Sequence, residues 1–422
     1  MNQDSYPHYQ RDCGWTHPRN LQRTRPLLEN DGDCDAIIIG GGYTGIGIAA
    51  QLQTLRPNDD IRILEAETIG SGSPGRNSGF LLEHAFGATS PSMASELYQH
   101  YRRTHQTLLQ NGLGDKKAQP ARIFKGAATK RGLKALRTLE QFLNASQQPF
   151  APLSAGAMTE LTGSRYYKAG IELPGNSLLN PFDLITNLAR NLPASVTLYE
   201  QSPAIRLFRE QGMWQAQTPK GALRAPRVFL ANNAFASALG YGNAYSVKIF
   251  TYAGITPQLS GAIFSRYSQH GQWGLLPAHR LGSTLRSTDD NRILIRGLYG
   301  YESEGNDSVK DMLATSLFSR FPELQAYGLE DWWGGTTSLT ANGAPLWGEL
   351  KDGLYVSIGC NGVGIIKGTL LGQQLANYAC GEPHIDVAKL MDKPGWMPPE
   401  PFRRIGFKAV SAYERRAAGA ER

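Results

Sequence analysis

The segment Asp35–Glu65, DAIIIGGGYTGIGIAAQLQTLRPNDDIRILE, admits few folds. A short apolar run, Ala36–Ile39, passes at once into Gly40, Gly42 and Gly45 in the spacing G-x-G-x-x-G, and then into apolar residues of helical period through Leu55. A second strand-like run, Ile61–Leu64, ends at Glu65, twenty residues after the third glycine. Strand, tight turn, helix, strand and a carboxylate at that distance form the context of a dinucleotide-binding fingerprint. Gly40 permits the turn out of the strand, Gly42 leaves room for a pyrophosphate, and Gly45 lets the helix approach the strand, so that the helix N-terminus directs free N–H groups at the phosphates. Glu65 is placed to hold ribose hydroxyls, and a carboxylate there disfavours a 2′-phosphate, which argues against an NADP-type ligand.

Two further glycine-rich stretches restrict the ligand. Ile69–Gly79, IGSGSPGRNSG, follows the ribose-side strand and places glycine-rich backbone against something large. Gly353–Gly368, GLYVSIGCNGVGIIKG, reads as a strand, a G-x-x-G-x-G turn and a helix continuing through Tyr378. It supplies a second glycine-bearing helix N-terminus, which disfavours a dehydrogenase that binds NAD alone.

The stretch GSGSPGRNSGF resembles the G-A-S-G-R-N-G-G segment that follows the ribose carboxylate in the D-amino-acid-oxidase-like family of FAD-dependent oxidoreductases, most closely the γ-glutamylputrescine oxidase type. The resemblance covers roughly residues 30 to 385. It implies an α/β fold, with a Rossmann-like FAD-binding domain of the glutathione-reductase type and an α+β substrate domain built on a mainly antiparallel sheet. The expected division is an N-terminal arm (1–34), a discontinuous FAD-binding domain (35–87, 151–240, 339–400), a substrate domain (88–150, 241–338) and a basic tail (401–422). The implied cofactor is FAD, wrapped by Ser73, Arg76, Asn77 and Ser78 beside Gly40, Gly42, Tyr43, Thr44, Gly45, Glu65 and Ala66. Ala204, Ala231 and Asn232 complete that expectation, with the turn Gly359, Cys360, Asn361, Gly362, Val363, Gly364 and Ile365 against the pyrimidine end of the flavin. Cys360 and Val363 stand where the family usually has an aromatic residue and a histidine. Relatives with a covalently linked flavin carry a cysteine near 331–338 or a histidine near 71–79; this chain has neither, so noncovalent FAD is expected.

The rest of the chain alternates between two periodicities. Ala88–Asn111 and Lys130–Ser146 place apolar residues at helical spacing, with a strand expected at Ala121–Ala128 between them. Pro181 opens a helix expected to run to about Leu192, followed by strands at Val196–Tyr199 and Ala204–Phe208 and by the apolar run Ala225–Ala234. From Tyr241 to Thr340 aromatic and polar residues alternate at period two, the pattern of strands roofing a cofactor, with a hairpin turn at Asp289-Asp290-Asn291 and a helix at Lys310–Arg320. Tyr6, Tyr9 and Trp15 suggest that the arm docks on the surface of the main body, and the tail from Phe402 reads as a solvated basic helix.

Composition sets the outer limits. The net charge of +7 is spread along the chain, so a soluble enzyme with an anionic cofactor is favoured over a nucleic-acid binder. Cys13, Cys34, Cys360 and Cys380 form no C-x-x-C pair, no apolar stretch is long enough for a membrane span, and a reduced cytoplasm is the expected compartment. No hydrolytic triad, metal-ligand spacing or P-loop is present. The resemblance therefore implies oxidation of the C–N bond of an amine or amino acid by hydride transfer to flavin, giving an imine, with oxygen or another acceptor taking the electrons. Two rivals are a dehydrogenase of the same fold serving a quinone or a partner protein, and a non-catalytic flavin-binding subunit. Tyr252, Tyr299, Trp332 and His84 are the candidate catalytic residues; Tyr252, Tyr299 and Trp332 with Tyr301, Trp333 and Arg286 are candidates for a substrate cage, His279 is a second histidine to watch in the roof, and Lys248 is the candidate for oxygen activation.

Overall fold

The computed structural model describes residues 6–16, 23–114, 121–301 and 304–422, so parts of the expected arm (1–5 and 17–22) lie outside the described residues. A six-stranded sheet runs in the order 346–351, 354–358, 227–230, 36–39, 61–64, 196–199. All its neighbours are parallel except the antiparallel edge pair 346–351 and 354–358. Both faces of this sheet are covered, which is why Ala36–Ile39 is a fully apolar and fully buried run rather than an alternating one.

Helix Tyr43–Leu55 starts directly after the first glycine turn and crosses helix Gly364–Ala379, which starts after the second. The crossing is a backbone contact. A Cβ on Gly372 would fall 2.3 Å from the Thr44 carbonyl oxygen, and one on Gly47 would fall 2.9 Å from that of Thr369. Glycine at these positions thus holds the two helices together at their N-terminal ends.

The second large sheet has eight strands in the order 331–340, 246–255, 293–301, 284–287, 272–277, 121–127, 169–172, 151–154. It is antiparallel apart from the pair 272–277 and 121–127, in agreement with the period-two pattern. The expected hairpin turn carries Asn291 in the left-handed region at φ 62°. A third, four-stranded sheet joins strand 32–33 to the meander 206–217 and 222–225.

Several expectations shift. Residues 151–154 and 169–172, assigned by sequence to the FAD-binding domain, hydrogen-bond into the eight-stranded sheet. Helix Pro91–Gly112, assigned to the substrate domain, buries Leu97, Tyr98, Tyr101 and Leu108 in one cluster with Ile48, Ile63 and Leu184 of the six-stranded unit. Its apolar stripe matched a helix, but periodicity does not say which layer receives the stripe. The helix at Pro181 ends at Arg190, and the strand expected from Ala204 runs Arg206–Glu210.

The described parts of the arm and the tail are both integrated. In the arm, Cys13 and Leu28 are core residues, and the Trp15 indole donates to the Asn77 carbonyl at 2.7 Å. The tail forms helix Phe402–Ala418, whose Glu414 bridges His279 and Arg280. Glu421, just beyond it, accepts from the Ala128 and Thr129 amides at 2.9 Å. The outer face of that helix leaves Phe402, Ile405, Val410 and Tyr413 exposed.

Candidate active site

A cavity of about 700 Å³ opens outside the carboxyl ends of the parallel strands and under the eight-stranded roof. Ile39, Leu64, Ala231 and Ile358, all at or just past strand ends, form part of its wall. So do Gly40, Gly42, Tyr43, Thr44, Glu65, Ala66, Ser73, Arg76, Asn77, Ser78, Ala204 and Asn232. The whole turn Gly359–Ile365 completes that half. Of the residues named from sequence for the cofactor, only Gly45 is off the wall. It serves packing: a Cβ there would lie 1.9 Å from the Gly40 carbonyl oxygen.

Each turn is braced from behind. The Glu65 carboxylate accepts from the Gly41 amide at 2.8 Å and the Glu67 amide at 3.1 Å; burial raises its pKa and these amides oppose the rise. Asn77 donates to the Pro74 carbonyl and accepts from the Gly79 amide, fixing the short helix Ser73–Arg76. The Tyr43 hydroxyl donates to the carbonyls of Pro74 and Pro181, both at 3.1 Å. Asn361, at φ 53°, accepts from the Thr340 amide and donates to the carbonyls of Gly343 and Gly359, which ties the second turn to strand 331–340.

Arg76 is neither a surface charge nor simply part of the wall. Its guanidinium is buried, donates to the carbonyls of Gly334 and Arg11 and pairs with Glu304 at 3.3 Å. Tyr9 lies beneath that guanidinium, and its hydroxyl meets Ser73 and Thr336. The arm therefore closes one side of the cavity, and Tyr6 and Pro7 line it. Sequence reasoning placed this arm on the surface; its three aromatic residues were the only signal of a deeper role.

The roof half sorts the remaining candidates. Tyr252 and Tyr299 line the cavity, and burial pushes the Tyr252 phenol up to about 12. Trp332 does not line it: strand alternation turns it into the core on the other face, under Arg11, while Trp333 faces in. Arg286 and Tyr301 are also off the wall; Arg286 is buried and donates to the carbonyls of Ser78 and Leu179, and the Tyr301 hydroxyl meets Glu400. His84 is on the wall, with Nε2 bonded to the Pro149 carbonyl at 2.8 Å and Nδ1 to Asn176 at 3.1 Å. Burial lowers its pKa, so it is a neutral imidazole held in one tautomer. Lys248 lies over the Phe235 ring rather than on the wall.

Two cations that sequence reasoning did not single out do face the cavity. Arg296 donates from Nε to Thr251 Oγ1 at 3.0 Å, and its Nη2 is the atom nearest a Cβ built on Gly362, at 3.7 Å. Lys125 lies with Nζ 4.6 Å from the Phe86 ring centroid, and burial pulls its pKa down to about 8. A lysine at an inward position of an alternating strand was the available sign for one, and an arginine in the apolar run Ile293–Leu298 for the other.

The wall fits a flavin dinucleotide. Both helices that converge on it begin without a side-chain cap, leaving first-turn N–H groups for an anion. The buried Asn232 side-chain oxygen has no hydrogen-bond partner among the described residues. Two glycine-turn helix N-termini, a ribose-side carboxylate and a roofed cavity define a dinucleotide-dependent oxidoreductase. The profile of the family described as FAD dependent oxidoreductase (DAO) matches residues 35–378, and the chain belongs to that family, with FAD as its cofactor. It is similar to a probable oxidoreductase OrdL of Rhizobium meliloti, 23% identical over 92% of this chain and 93% of that protein. The γ-glutamylputrescine oxidoreductase of Escherichia coli is also 23% identical, over 90% of this chain and 91% of that protein. Among solved structures, glycine oxidase from Geobacillus kaustophilus shares the fold with a TM-score of 0.72 at 21% identity, over 83% of this chain and 95% of that one.

Proposed function

We propose that the protein oxidises the C–N bond of an amine or amino acid. The observation that carries this reading is the continuity of one cavity from the two glycine turns to a roof lined by Tyr252, Tyr299 and Arg296. Bound FAD would supply the hydride-accepting chemistry for the carbon next to the substrate nitrogen. The nitrogen gives up one proton, and the resulting C=N adds water to release an amine and a carbonyl compound. Arg296 holds a substrate carboxylate, the two tyrosines flank the reacting carbon, and the low-polarity roof favours the neutral amine that oxidation requires. His84, with both ring nitrogens engaged, positions the loop carrying Phe86 and takes no part in proton transfer. The names of the relatives, a γ-glutamylputrescine oxidoreductase and a glycine oxidase, support an amine substrate.

FAD is bound noncovalently in this reading, since Cys360, the cysteine on the described wall, meets Thr337 Oγ1 and Asn233 Nδ2. The proposed division places 151–172 with the roof and 91–112 with the FAD-binding unit. No helix among the described residues is long and apolar enough to cross a membrane, and the free cysteines support a cytoplasmic location. A dehydrogenase of the same fold is the second reading, and Lys248, the candidate for oxygen activation, is off the cavity wall. Anaerobic mixing of holoenzyme with amino acids, N-methyl amino acids and polyamines tests the main reading. Loss of the visible flavin absorbance is expected, and a flavin that no amine bleaches would sink it. Readmitting air then separates oxidase, with fast return of colour, from dehydrogenase.

A further inference from the structure

The hydrogen-bonding register lines up one row of side chains across the roof. Arg296 is opposite Thr284 on one side and Ala253 on the other. Lys125 is opposite Leu276 on the next strand pair. Between them the antiparallel pairs Gly274 with Arg286 and Leu275 with Leu285 continue to place Leu276 opposite Thr284. Residues directly opposite one another share a face. Ala253, Arg296, Thr284, Leu276 and Lys125 therefore form one transverse row, and all five line the cavity. The row carries a cation on each side of a hydroxyl and an isobutyl group. Three strand spacings separate the two cations, roughly 14 Å between backbones, which two long side chains reaching inward reduce to the length of a small molecule.

These two cations differ from the others on the wall. Arg76 is paired with Glu304, Arg280 and His279 with Glu414, and Lys367 donates to the Gly343 carbonyl. Arg296 has a threonine hydroxyl and the Tyr299 ring, Lys125 has the Phe86 ring, and neither has a carboxylate partner among the described residues. The carboxylate on the described wall, Glu65, is engaged by backbone amides at the ribose end. Cations left in a half-enclosed, largely apolar space are costly unless a counter-charge arrives, and a ligand can bring it.

We propose that the substrate is an N-substituted amino acid with two carboxylates, one held by Arg296 beside the Gly362 turn and the other by Lys125 under Phe86, with the oxidisable C–N bond between them. This rests on the C–N oxidation reading above. It excludes polyamines, whose charges would meet two cations and, among the described residues, no available anion.

The test compares holoenzyme with iminodiacetate, N-methylglycine and putrescine under anaerobic conditions. Iminodiacetate is expected to bleach the flavin at concentrations at least about tenfold lower than N-methylglycine, with putrescine inert. Lys125→Met brings the ratio of the two acids close to one, Lys125→Arg restores it, and Arg296→Met weakens both. Equal response to the two acids, or a preference untouched by Lys125→Met, would overturn the proposal. If no amine bleaches the flavin, it is the oxidation reading that fails, and the diacid site is then tested by binding alone. Glutarate should perturb the flavin spectrum at lower concentration than butyrate, and equal or absent perturbation would contradict the site.

Discussion

Arg76 Nη2 lies 3.3 Å from Glu304 Oε1 in a pair that is almost wholly buried, joining the short helix Ser73–Arg76 to the roof. The same guanidinium holds the Arg11 carbonyl, and Glu304 accepts from the Gln10 amide at 2.6 Å, so arm, wrap and roof meet at one point. Removing one partner leaves the other charged and buried. Arg76→Met is expected to destabilise the fold by about 3–5 kcal/mol and Glu304→Gln by a comparable amount. The double variant should cost less than their sum, as a thermal denaturation cycle will show.

Gly45→Ala puts a methyl group against the Gly40 carbonyl and should open the first turn. The expected result is at least about tenfold weaker FAD retention, or protein that does not fold, since overpacking typically costs about 1–3 kcal/mol. Gly261→Ala, where nothing lies within 4 Å of the added carbon, is the control and should bind FAD normally.

The contrast between these sites shows what the sequence made legible. The two glycine turns were readable because spacing encodes local geometry: Gly40, Gly42, Gly45 and Gly359–Gly364 fix turns whose neighbours in sequence are also neighbours in space. Period two gave the roof strands. It did not give the inward face, because Trp332 and Trp333 are adjacent and only the sheet decides which one turns in. Arg286 and Arg296 likewise sit on neighbouring strands, one structural and one facing the cavity. Long-range partners were invisible. Nothing in the basic tail announced that Glu414 would meet Arg280, or that Tyr6 in the arm would reach the cavity.

The tail should act as a clasp. Glu421 Oε1 accepts from two backbone amides and the Thr129 hydroxyl, each at 2.9 Å. Glu421→Ala leaves those donors buried and should cost about 1–3 kcal/mol, read as a fall in thermal midpoint and faster proteolysis beyond residue 400.

Acid should loosen the same clasp. The Arg280 hydrogen bond holds the Glu414 carboxyl below its ordinary pKa, and burial lowers that of His279 despite Glu414 beside it. Both depressed values mean that the folded state binds fewer protons than the unfolded chain, so the stabilisation is present above the unfolded pKa values and lost as pH falls. Protease sensitivity of helix Phe402–Ala418 is expected to rise below about pH 6.5, where histidine begins to charge, and further in the carboxylate range. Glu414→Gln should remove the carboxylate limb and leave the histidine limb at least as steep, because the Glu414 charge raises the His279 pKa.

Lys125 predicts the opposite limb. Its pKa falls from 10.5 unfolded to about 8 folded, so ligand-free protein gains stability as pH rises between these values. Lys125→Met should flatten that rise. Affinity for a diacid depends on the charged ammonium and should decline as pH passes about 8, while FAD retention stays constant.

The most direct measurement is titration of apoprotein with FAD, followed by quenching of flavin fluorescence. The three stretches that meet at the cavity should take up one FAD per chain, with the flavin quenched under the roof, and Gly45→Ala should abolish that uptake while Gly261→Ala preserves it. Wild-type protein that folds and takes up no FAD would contradict the account.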